Sequence, residues 1–578
     1  MLVRMLVRTR NISRWAVLGL FLLTIQAASA NNSKISPDLQ ALLEQQPSAK
    51  VNVIVQYNTA PSGGLLGGVL NLLEGVVNVV FSLIPAVGAT LSAAGVTTLS
   101  NQSNVAYISL DRSLAASLDY SAGAVNAPTA WAAGLDGAGV GIAIIDSGIY
   151  SHPDLDATNS KASRVVYRQS FIGGNQFDDF GHGTHVAGIV AGNASLSSGP
   201  GAFHTYRGIA PNANLLDLRV LNANGSSNDS VVIAAIQQAV ALKSRYNVRV
   251  INLSLGRPIY EGCVQDPLCQ AVEAAWKSGI VVVVAAGNLG RNGYGTILSP
   301  GDSPHAITVG AMKTEMTVTR ADDLIASYSS KGPTYIDLTA KPDLVAPGNL
   351  VVSLLAPGST LEAAYPGNVI PASQYTTSTS AGAPAYFRLS GTSMATPVVS
   401  ATAALLLQKN PGLTPDTIKA RLMKTATKNF PVSSTAYDPT TGQSYTDTYD
   451  LFTVGAGYLD IATALANSDV ASLPAISPQM DYNKAQQTAY LVPNLLSAWW
   501  WIGSTWSPTV VWGTTVLKPG SAGSPAVWDS GAAWGNSAQW GTAVAWGTGG
   551  TNGTAVAWGT GGTSGTAVAW GTSGQGEQ

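Results

Sequence analysis

Four nearly unbroken apolar runs constrain the fold of this chain more than any other feature. They cover residues 140–145, 215–221, 250–255 and 280–285, and helical patterns at 230–246 and 270–278 separate the later ones. A strand that is apolar on both faces must be covered on both faces, which is the usual environment of a parallel strand. We therefore predict an α/β fold with a mainly parallel central sheet for residues 135–465. In such sheets, active sites form beyond the carboxyl ends of the strands.

Length, charge and cysteine content exclude several classes of protein. At roughly 150 residues per domain, the 578 residues predict three or four folding units. Lys and Arg number 30 against 32 Asp and Glu, and the net charge of −2 provides no basic field for nucleic acid. Only two cysteines occur, Cys263 and Cys269, so a disulfide-built scaffold and a zinc cage of thiolates are excluded. In an exported protein these two are candidates for a disulfide, with two reduced buried thiols as the alternative.

Residues 1–30 have the pattern of a secretory signal peptide. An apolar run covers residues 15–25, and small residues follow at 28–30. The chain carries four basic residues and no acidic residue before this run, at Arg4, Arg8, Arg10 and Arg14. The run is well short of the roughly 20 residues needed to cross a bilayer, so a membrane anchor is the less favoured alternative. We predict a secreted protein.

Three polar residues occupy places where chemistry can occur. Asp146 directly follows a strand pattern, His182 begins a helical pattern between two glycines, and Ser393 precedes an apolar helix. Each also has a plain structural explanation: a turn former, a packing residue and a helix N-cap, respectively. A metal pair formed by His182 and His185 lacks the glutamate and the third ligand of a zinc site.

Taken together, the three residues supply what acyl transfer requires. A hydroxyl nucleophile needs an imidazole to take its proton and a carboxylate to hold the imidazole tautomer. A serine at a helix N-terminus also stands in a positive field, where backbone N–H groups can receive an oxyanion. Ser393 is not in a GxSxG sequence, which argues against an α/β-hydrolase esterase.

Seven motifs, in order between residues 135 and 465, accompany the chain order Asp146, His182, Ser393. They are Ile144-Ile145-Asp146-Ser147-Gly148-Ile149, Gly181-His182-Gly183-Thr184-His185-Val186-Ala187-Gly188, Gly208-Ile209-Ala210-Pro211, Ala285-Ala286-Gly287-Asn288, Tyr328-Ser329-Ser330-Lys331-Gly332-Pro333, Lys341-Pro342-Asp343 and Gly391-Thr392-Ser393-Met394-Ala395. In these motifs the chain resembles the subtilisin-like serine proteases, or subtilases. The resemblance implies a three-layer α/β fold for residues 118–466 and a serine endopeptidase.

The resemblance also implies a role for each site residue. Ser393 would be the nucleophile, His182 the general base and then acid, and Asp146 the residue that orients His182. Asn288 and the backbone N–H of Ser393 would donate hydrogen bonds to the oxyanion. His185 would pack the helix. The chemistry needs no cofactor.

Two segments are similar to the family's substrate-binding edges: Asn224-Gly225-Ser226 and Leu253-Ser254-Leu255-Gly256. An extended polypeptide would add to these edges as a strand. Leu298 takes a position on the floor of the primary pocket, and no acidic residue lines that segment. We therefore predict uncharged, apolar side chains before the scissile bond.

Residues 31–117 are similar to the family's inhibitory propeptide, a small α+β unit, which implies a self-processing zymogen. Within it, the apolar stretch 65–91 is expected to form a helix packed on a small sheet, with membrane insertion as the alternative. Subtilases often bind structural calcium. Asp154 occupies a place where one ligand can occur, but the sequence shows no clear set of partners.

Residues 467–578 form a different kind of segment, which contains 11 of the 14 Trp residues. A unit Gly-Thr-Ala-Val-Ala-Trp-Gly-Thr begins at Gly541, Gly553 and Gly565. The tail is predicted either to be disordered or to form short β-strands that attach to carbohydrate or to the cell surface. The competing hypothesis for the whole chain is a binding protein with the subtilase fold, without catalysis, that attaches through this tail.

Overall fold

The computed structural model describes two long parts of the chain and three short ones. The long parts are residues 31–110, except 37–38, 41, 44–46, 48–49, 60–75 and 82–84, and residues 118–483, except 159, 176, 378–383 and 439–441. The short ones are residues 488–492, 511 and 566–568. The predicted signal peptide and most of the repeat tail lie outside the described residues. Among those described, no helix is both long and apolar enough to cross a membrane.

The chain divides into two compact units, residues 1–114 and 115–578. The first unit contains strands β1 (Lys50–Tyr57), β2 (Val76–Val80), β3 (Ala86–Ser92) and β4 (Val105–Leu110), and helix α1 (Ala93–Ser100). The strands pair antiparallel in the order β2-β3-β1-β4. Alternate residues of β1 are buried, so one face of the sheet carries the core.

The expectation of a helix over residues 65–91 is wrong where the structure describes it. Residues 76–80 and 86–92 are strands. The physical reason is side-chain shape: valine dominates 76–80, and β-branched side chains lose rotamer freedom in a helix but pack well on a pleated sheet.

The second unit alternates strands and helices. Its helices are α2 (Leu118–Ala124), α3 (Ala127–Ala132), α4 (His182–Ala191), α5 (Asp229–Ala241), α6 (Lys243–Tyr246), α7 (Pro267–Lys277), α8 (Thr360–Ala364), α9 (Thr392–Lys409), α10 (Pro415–Thr425), α11 (Leu451–Val454) and α12 (Ile461–Ala466). Its first nine strands are β5 (Gly141–Asp146), β6 (Val165–Ser170), β7 (Asn214–Arg219), β8 (Ser226–Asn228), β9 (Val248–Leu253), β10 (Val281–Ala285), β11 (Ile307–Lys313), β12 (Leu324–Ile325) and β13 (Leu344–Pro347). The remaining strands are β14 (Val351–Leu354), β15 (Val369–Ile370), β16 (Tyr386–Leu389), β17 (Ser433–Asp438), β18 (Gln443–Thr448), β19 (Gln479–Asn483), β20 (Thr488–Val492) and β21 (Thr566–Val568).

The central sheet has the order β12-β11-β10-β9-β5-β7-β6, with β13 also paired to β11. All of its pairs are parallel except β11 with β12. The four predicted apolar runs are β5, β7, β9 and β10, and β5 and β10 are buried at every position. Helices α4 and α9 pack together on the sheet, as do α5 and α7 elsewhere on it. The predicted three-layer α/β fold with a mainly parallel sheet is confirmed.

The chain stays part of this unit beyond residue 466, where the sequence predicted the tail to begin. Ser477 is fully buried, and its Oγ donates to Asp343 Oδ1 at 2.6 Å and accepts from Lys419 Nζ at 2.8 Å. Lys341 Nζ lies 2.7 Å from the other oxygen of Asp343. Burial opposes ionisation of Asp343, but the two ammonium groups outweigh it and hold its pKa below the usual range. Burial also lowers the pKa of Lys419 to about 7.

A serine-to-alanine pair tests whether residues 467–483 belong to the folded unit. We expect Ser477→Ala to lower the free energy of unfolding by about 1.5–3 kcal/mol, because it removes hydrogen bonds to two charged, buried groups. Ser472→Ala, at an exposed position of the same segment, should change it by less than about 0.5 kcal/mol. Urea unfolding of both variants measures the difference, and equal stabilities would place the end of the unit before Ser477.

Candidate functional site

A buried pair of acid and imidazole lies at the carboxyl end of β5. Asp146 is the last residue of that strand, and His182 is the first residue of α4. His182 Nδ1 lies 2.7 Å from Asp146 Oδ1, which also accepts from the Ser147 backbone N–H at 2.7 Å. Since an ionised carboxylate only accepts hydrogen bonds, Nδ1 carries the proton and Nε2 is left as the basic nitrogen.

Asp178, which the sequence did not single out, sets the position of the helix that carries His182. Its carboxylate accepts from the backbone N–H of Gly181 at 2.7 Å and from the N–H and hydroxyl of Thr184 at 2.8 and 2.6 Å. These bonds occupy N–H groups at the start of α4 that have no acceptor within the helix. Burial raises the pKa of Asp178, and the hydrogen bonds oppose that rise. The available signal was a carboxylate four residues before the histidine, at a helix start.

Close approach of α4 to the β5 loop requires glycine at position 183. A Cβ there would lie 2.2 Å from the carbonyl oxygen of Gly148 and 3.1 Å from the Cβ of Asp146. Any side chain at position 183 would therefore separate the imidazole from its carboxylate.

Ser393 is the second residue of α9, a helix buried throughout residues 392–407. Its Oγ donates to the Ser254 carbonyl at 3.1 Å, and Ser254 Oγ donates to the Ser393 carbonyl at 2.9 Å. In a regular helix that carbonyl would accept from residue 397, but Pro397 has no N–H. The Ser254 hydroxyl replaces the missing donor and links the Ser393 backbone to the end of β9.

His182 Nε2 is buried and has no hydrogen-bond partner among the described residues. No described group therefore donates a hydrogen bond to Nε2 in this structure. A donor must come from a bound substrate or from a side chain that rotates towards the imidazole. Catalytic hydrogen bonds are often long or unformed before substrate binds and tighten in the complex.

Asn288 lies just after β10 and faces the start of α9. Its Oδ1 accepts from the backbone N–H and the hydroxyl of Thr392 at 2.9 and 3.0 Å. Because a backbone N–H can only donate, the atom that faces it must be the carbonyl oxygen of the amide. The NH₂ group of Asn288 is thereby fixed as the end that donates.

The structure places the two predicted substrate segments differently. Leu253 is the last residue of β9, paired with Val284 inside the central sheet, so it offers no edge. Ser254 contacts Ser393, and Leu255 and Gly256 lead to Arg257, which exchanges two backbone hydrogen bonds with Ser299 at 2.8 Å each. That exchange brings the second segment beside the predicted pocket.

Leu298 is buried, and its side chain packs against Gly287 in the loop that follows β10. A Cβ at Gly287, which has a φ of +110°, would lie 2.5 Å from Leu298 Cδ1. On the other segment, Asn224 and Gly225 form the turn before β8, and Ser226 begins β8.

His185 has the structural role that the resemblance implies. Its Nε2 lies 3.1 and 3.0 Å from the carbonyl oxygens of Val351 and Phe387 in strands β14 and β16. Burial, and then the neighbouring His182, lower the pKa of His185 to about 3. The neutral His185 ring donates to these carbonyl groups and so holds α4 against strands β14 and β16.

The residues present do not fit a calcium ion at Asp154. One oxygen of its carboxylate accepts from the Ser195 hydroxyl and the Leu196 backbone N–H, at 2.8 and 2.9 Å. The other accepts from the Tyr386 hydroxyl at 2.6 Å. Calcium needs oxygen acceptors around it, whereas Asp154 is surrounded by donors.

One other group of candidate metal ligands occurs among the described residues: Asp266, Cys269 and Asp302. Cys263 and Cys269 form a disulfide, so that sulfur is not a thiolate. Burial and the nearby Asp266 carboxylate raise the pKa of Asp302 to about 8. A carboxyl group that holds its proton at neutral pH is a poor ligand, so no metal site is assigned.

Comparison with known proteins agrees with this geometry. Residues 137–457 match the model of the subtilase family. The chain is 40% identical over 343 residues to serine protease AprX of Bacillus subtilis (strain 168). The matched region covers 57% of this chain and 71% of AprX. The chain is 36% identical over 307 residues to subtilisin DY of Bacillus licheniformis, covering 52% and 89%, respectively. An alkaline protease of Alkalihalobacillus alcalophilus is 34% identical over 335 residues, covering 57% and 71%.

Two glycine-to-alanine variants test whether the approach at Gly183 holds the acid–imidazole pair together. We expect Gly183→Ala to lower the free energy of unfolding by about 3 kcal/mol, because the added methyl group meets rigid backbone. It should also abolish the strongly deshielded proton NMR signal of His182 Nδ1–H. Gly367→Ala is the control, since a Cβ there has open space and the backbone does not need glycine. A Gly183→Ala protein as stable as the Gly367→Ala protein would contradict this requirement.

Proposed function

This chain belongs to the subtilase family and is a serine endopeptidase, and we propose that Asp146, His182 and Ser393 form its catalytic triad. The observation that carries the proposal is the buried Asp146–His182 hydrogen bond of 2.7 Å, at the same end of the central sheet as the N-terminus of α9. That bond commits Nδ1 to the carboxylate and leaves Nε2 to take a proton from Ser393.

The proposed reaction uses each group in turn. Ser393 Oγ attacks the carbonyl carbon of the substrate while its proton passes to His182 Nε2. The Asn288 NH₂ group and the Ser393 backbone N–H donate to the oxyanion. The imidazolium, stabilised by Asp146, protonates the leaving amine, and water then hydrolyses the acyl-enzyme through the same histidine.

We propose an extended polypeptide as substrate, bound between the predicted segments 224–226 and 253–256, the second without Leu253, which is paired inside the central sheet. The predicted primary pocket is apolar at Leu298. A nearby arginine, Arg257, is neutralised by ion pairs to Asp229 and Asp266 at 2.9 and 2.8 Å. An apolar wall without an uncompensated charge supports uncharged side chains before the scissile bond.

We further propose that the enzyme is secreted as a self-processing zymogen. The signal-peptide pattern at residues 1–30 supports export, and the compact first unit with its own core supports a separable propeptide.

The roles of Ser393 and of self-processing can be tested in one experiment. We expect Ser393→Ala, made in a host without other secreted proteases, to retain residues 31–117, because maturation would use the missing hydroxyl. Thr402→Ala, on the same buried helix, should be trimmed normally, because the Thr402 hydroxyl donates only to the Val398 carbonyl of that helix. N-terminal sequencing distinguishes the outcomes, and a correctly trimmed Ser393→Ala chain would exclude self-processing.

The oxyanion role of Asn288 predicts a specific kinetic change. In subtilisin, loss of such a donor lowers kcat by about 100- to 1,000-fold. We expect a loss of that size in Asn288→Ala, with KM nearly unchanged, because the donor acts on charge that develops in the transition state. Asn292→Ala, at an exposed position in the next turn, should keep wild-type kcat. A rise in KM at constant kcat would instead assign Asn288 to substrate binding.

A further inference from the structure

The last described segment of the chain pairs with one of the predicted substrate edges. Strand β21 runs antiparallel to β8, with Thr566 opposite Asn228 and Val568 opposite Ser226. The two form a sheet of their own, and no other described strand pairs with β8. β8 begins at Ser226, the last residue of the predicted edge. A segment of the C-terminal repeat therefore pairs with the strand that begins where the predicted substrate edge ends, and the two share Ser226.

The direction of this pairing leads to the catalytic centre. Gly225, just before β8, approaches Phe180 so closely that a Cβ there would lie 2.6 Å from Phe180 Cζ. The centre of the Phe180 ring is 6.3 Å from that of the His182 ring. Passing along β8 from Asn228 to Ser226 and Gly225 thus leads towards the imidazole. Because the strands are antiparallel, β21 runs in this direction from its first residue to its last.

The sequence that continues β21 has the chemistry of the predicted substrate. Ala569 and Trp570 come next in the sequence. The segment Thr-Ala-Val-Ala-Trp is uncharged, and it ends in a large apolar side chain. These are the properties predicted for the positions before the scissile bond.

We propose that the C-terminal repeat is a tethered, substrate-like inhibitor that adds as a strand to β8 and competes there with an extended polypeptide substrate. The proposal rests on the proposed protease function, since the edge it occupies is the substrate edge of that site. Its occupant is this chain's own tail, bound in cis.

The arrangement of the repeats favours such binding. Three copies of Gly-Thr-Ala-Val-Ala-Trp-Gly-Thr occur, and no charged residue lies between 541 and 576. Each copy offers the same strand to β8, which raises the local concentration of the ligand. A flexible tether gives an effective concentration on the order of 1 mM or below. Tethering thus compensates for the weak affinity expected of one short strand.

The test uses the mature enzyme with its tail intact, as verified by mass spectrometry, and an uncharged chromogenic peptide. We expect deletion of residues 541–578 to lower KM about two- to sixfold without changing kcat. The factor is one plus the effective concentration divided by the inhibition constant of the free octapeptide Gly-Thr-Ala-Val-Ala-Trp-Gly-Thr. That constant is measured on the truncated enzyme, where the octapeptide should compete with the substrate.

Two full-length variants separate strand pairing from other effects of the tail. Proline at Ala543, Ala555 and Ala567 removes a backbone N–H from every repeat, and proline is not tolerated inside a paired strand. This triple variant should behave like the deletion. Alanine at Asn552 and Ser564, in the spacers between repeats, should leave KM at the full-length value.

The outcomes distinguish failure of this proposal from failure of the proposed function. If no form cleaves the peptide, the protease assignment itself is wrong. If all forms cleave it with equal KM, the tail does not occupy the edge. A KM that depends on enzyme concentration would show binding between molecules and overturn the cis arrangement. Unchanged KM together with lost retention on polysaccharide would make the tail an attachment module instead.

Discussion

The close approach of α4 to the end of β5 is the constraint on which the rest of the site depends. Only a glycine at position 183 allows it, because a side chain there would collide with the Gly148 carbonyl. The approach buries Asp146 and His182 together, and a buried carboxylate is tolerated only when donors satisfy it. His182 is therefore both the proposed catalytic base and, with the Ser147 backbone N–H, a donor to Asp146 Oδ1. Catalytic geometry and stability coincide at this contact.

A second constraint comes from the proline inside α9. Helix α9 is buried on all sides, and a missing N–H would leave the Ser393 carbonyl without a helical donor in a dry environment. Ser254 supplies that donor, Asn252 Nδ2 lies 3.0 Å from Ser254 Oγ, and Ser400 donates to Asn252 Oδ1 at 2.8 Å. The break in the helix is thus the means by which the end of β9 holds the nucleophile. Every member of this chain of polar groups is buried, so a rotation of one would cost the bonds of the next.

The sequence predicted the central sheet well because buried parallel strands leave a local signature. β10 is apolar at every position, and the residues with predicted roles stand at the end of β5 and shortly after β10. Asp178 and Ser477 left no such signature. Ser477 acts through one side chain on Asp343, which is distant in sequence. Asp178 acts on Gly181 and Thr184, which lie inside a motif, but it stands just outside that motif itself. The helix expected over 65–91 from its place between two strand-like runs is wrong for another reason: the β-branched side chains at 76–80 favour a strand.

The pairing of β8 with β21 joins residues more than 300 positions apart, so no local pattern could have predicted it. The pairing follows from the open strand edge that the proposed function requires. A protease that reads an extended backbone must keep a strand edge open, and an open edge accepts any strand that reaches it. The C-terminal repeats contain a short, uncharged, valine-containing segment. Because they belong to the same chain, their local concentration at this edge is higher than that of a free peptide. The feature that makes the edge able to bind substrates of many sequences also makes it able to bind its own tail.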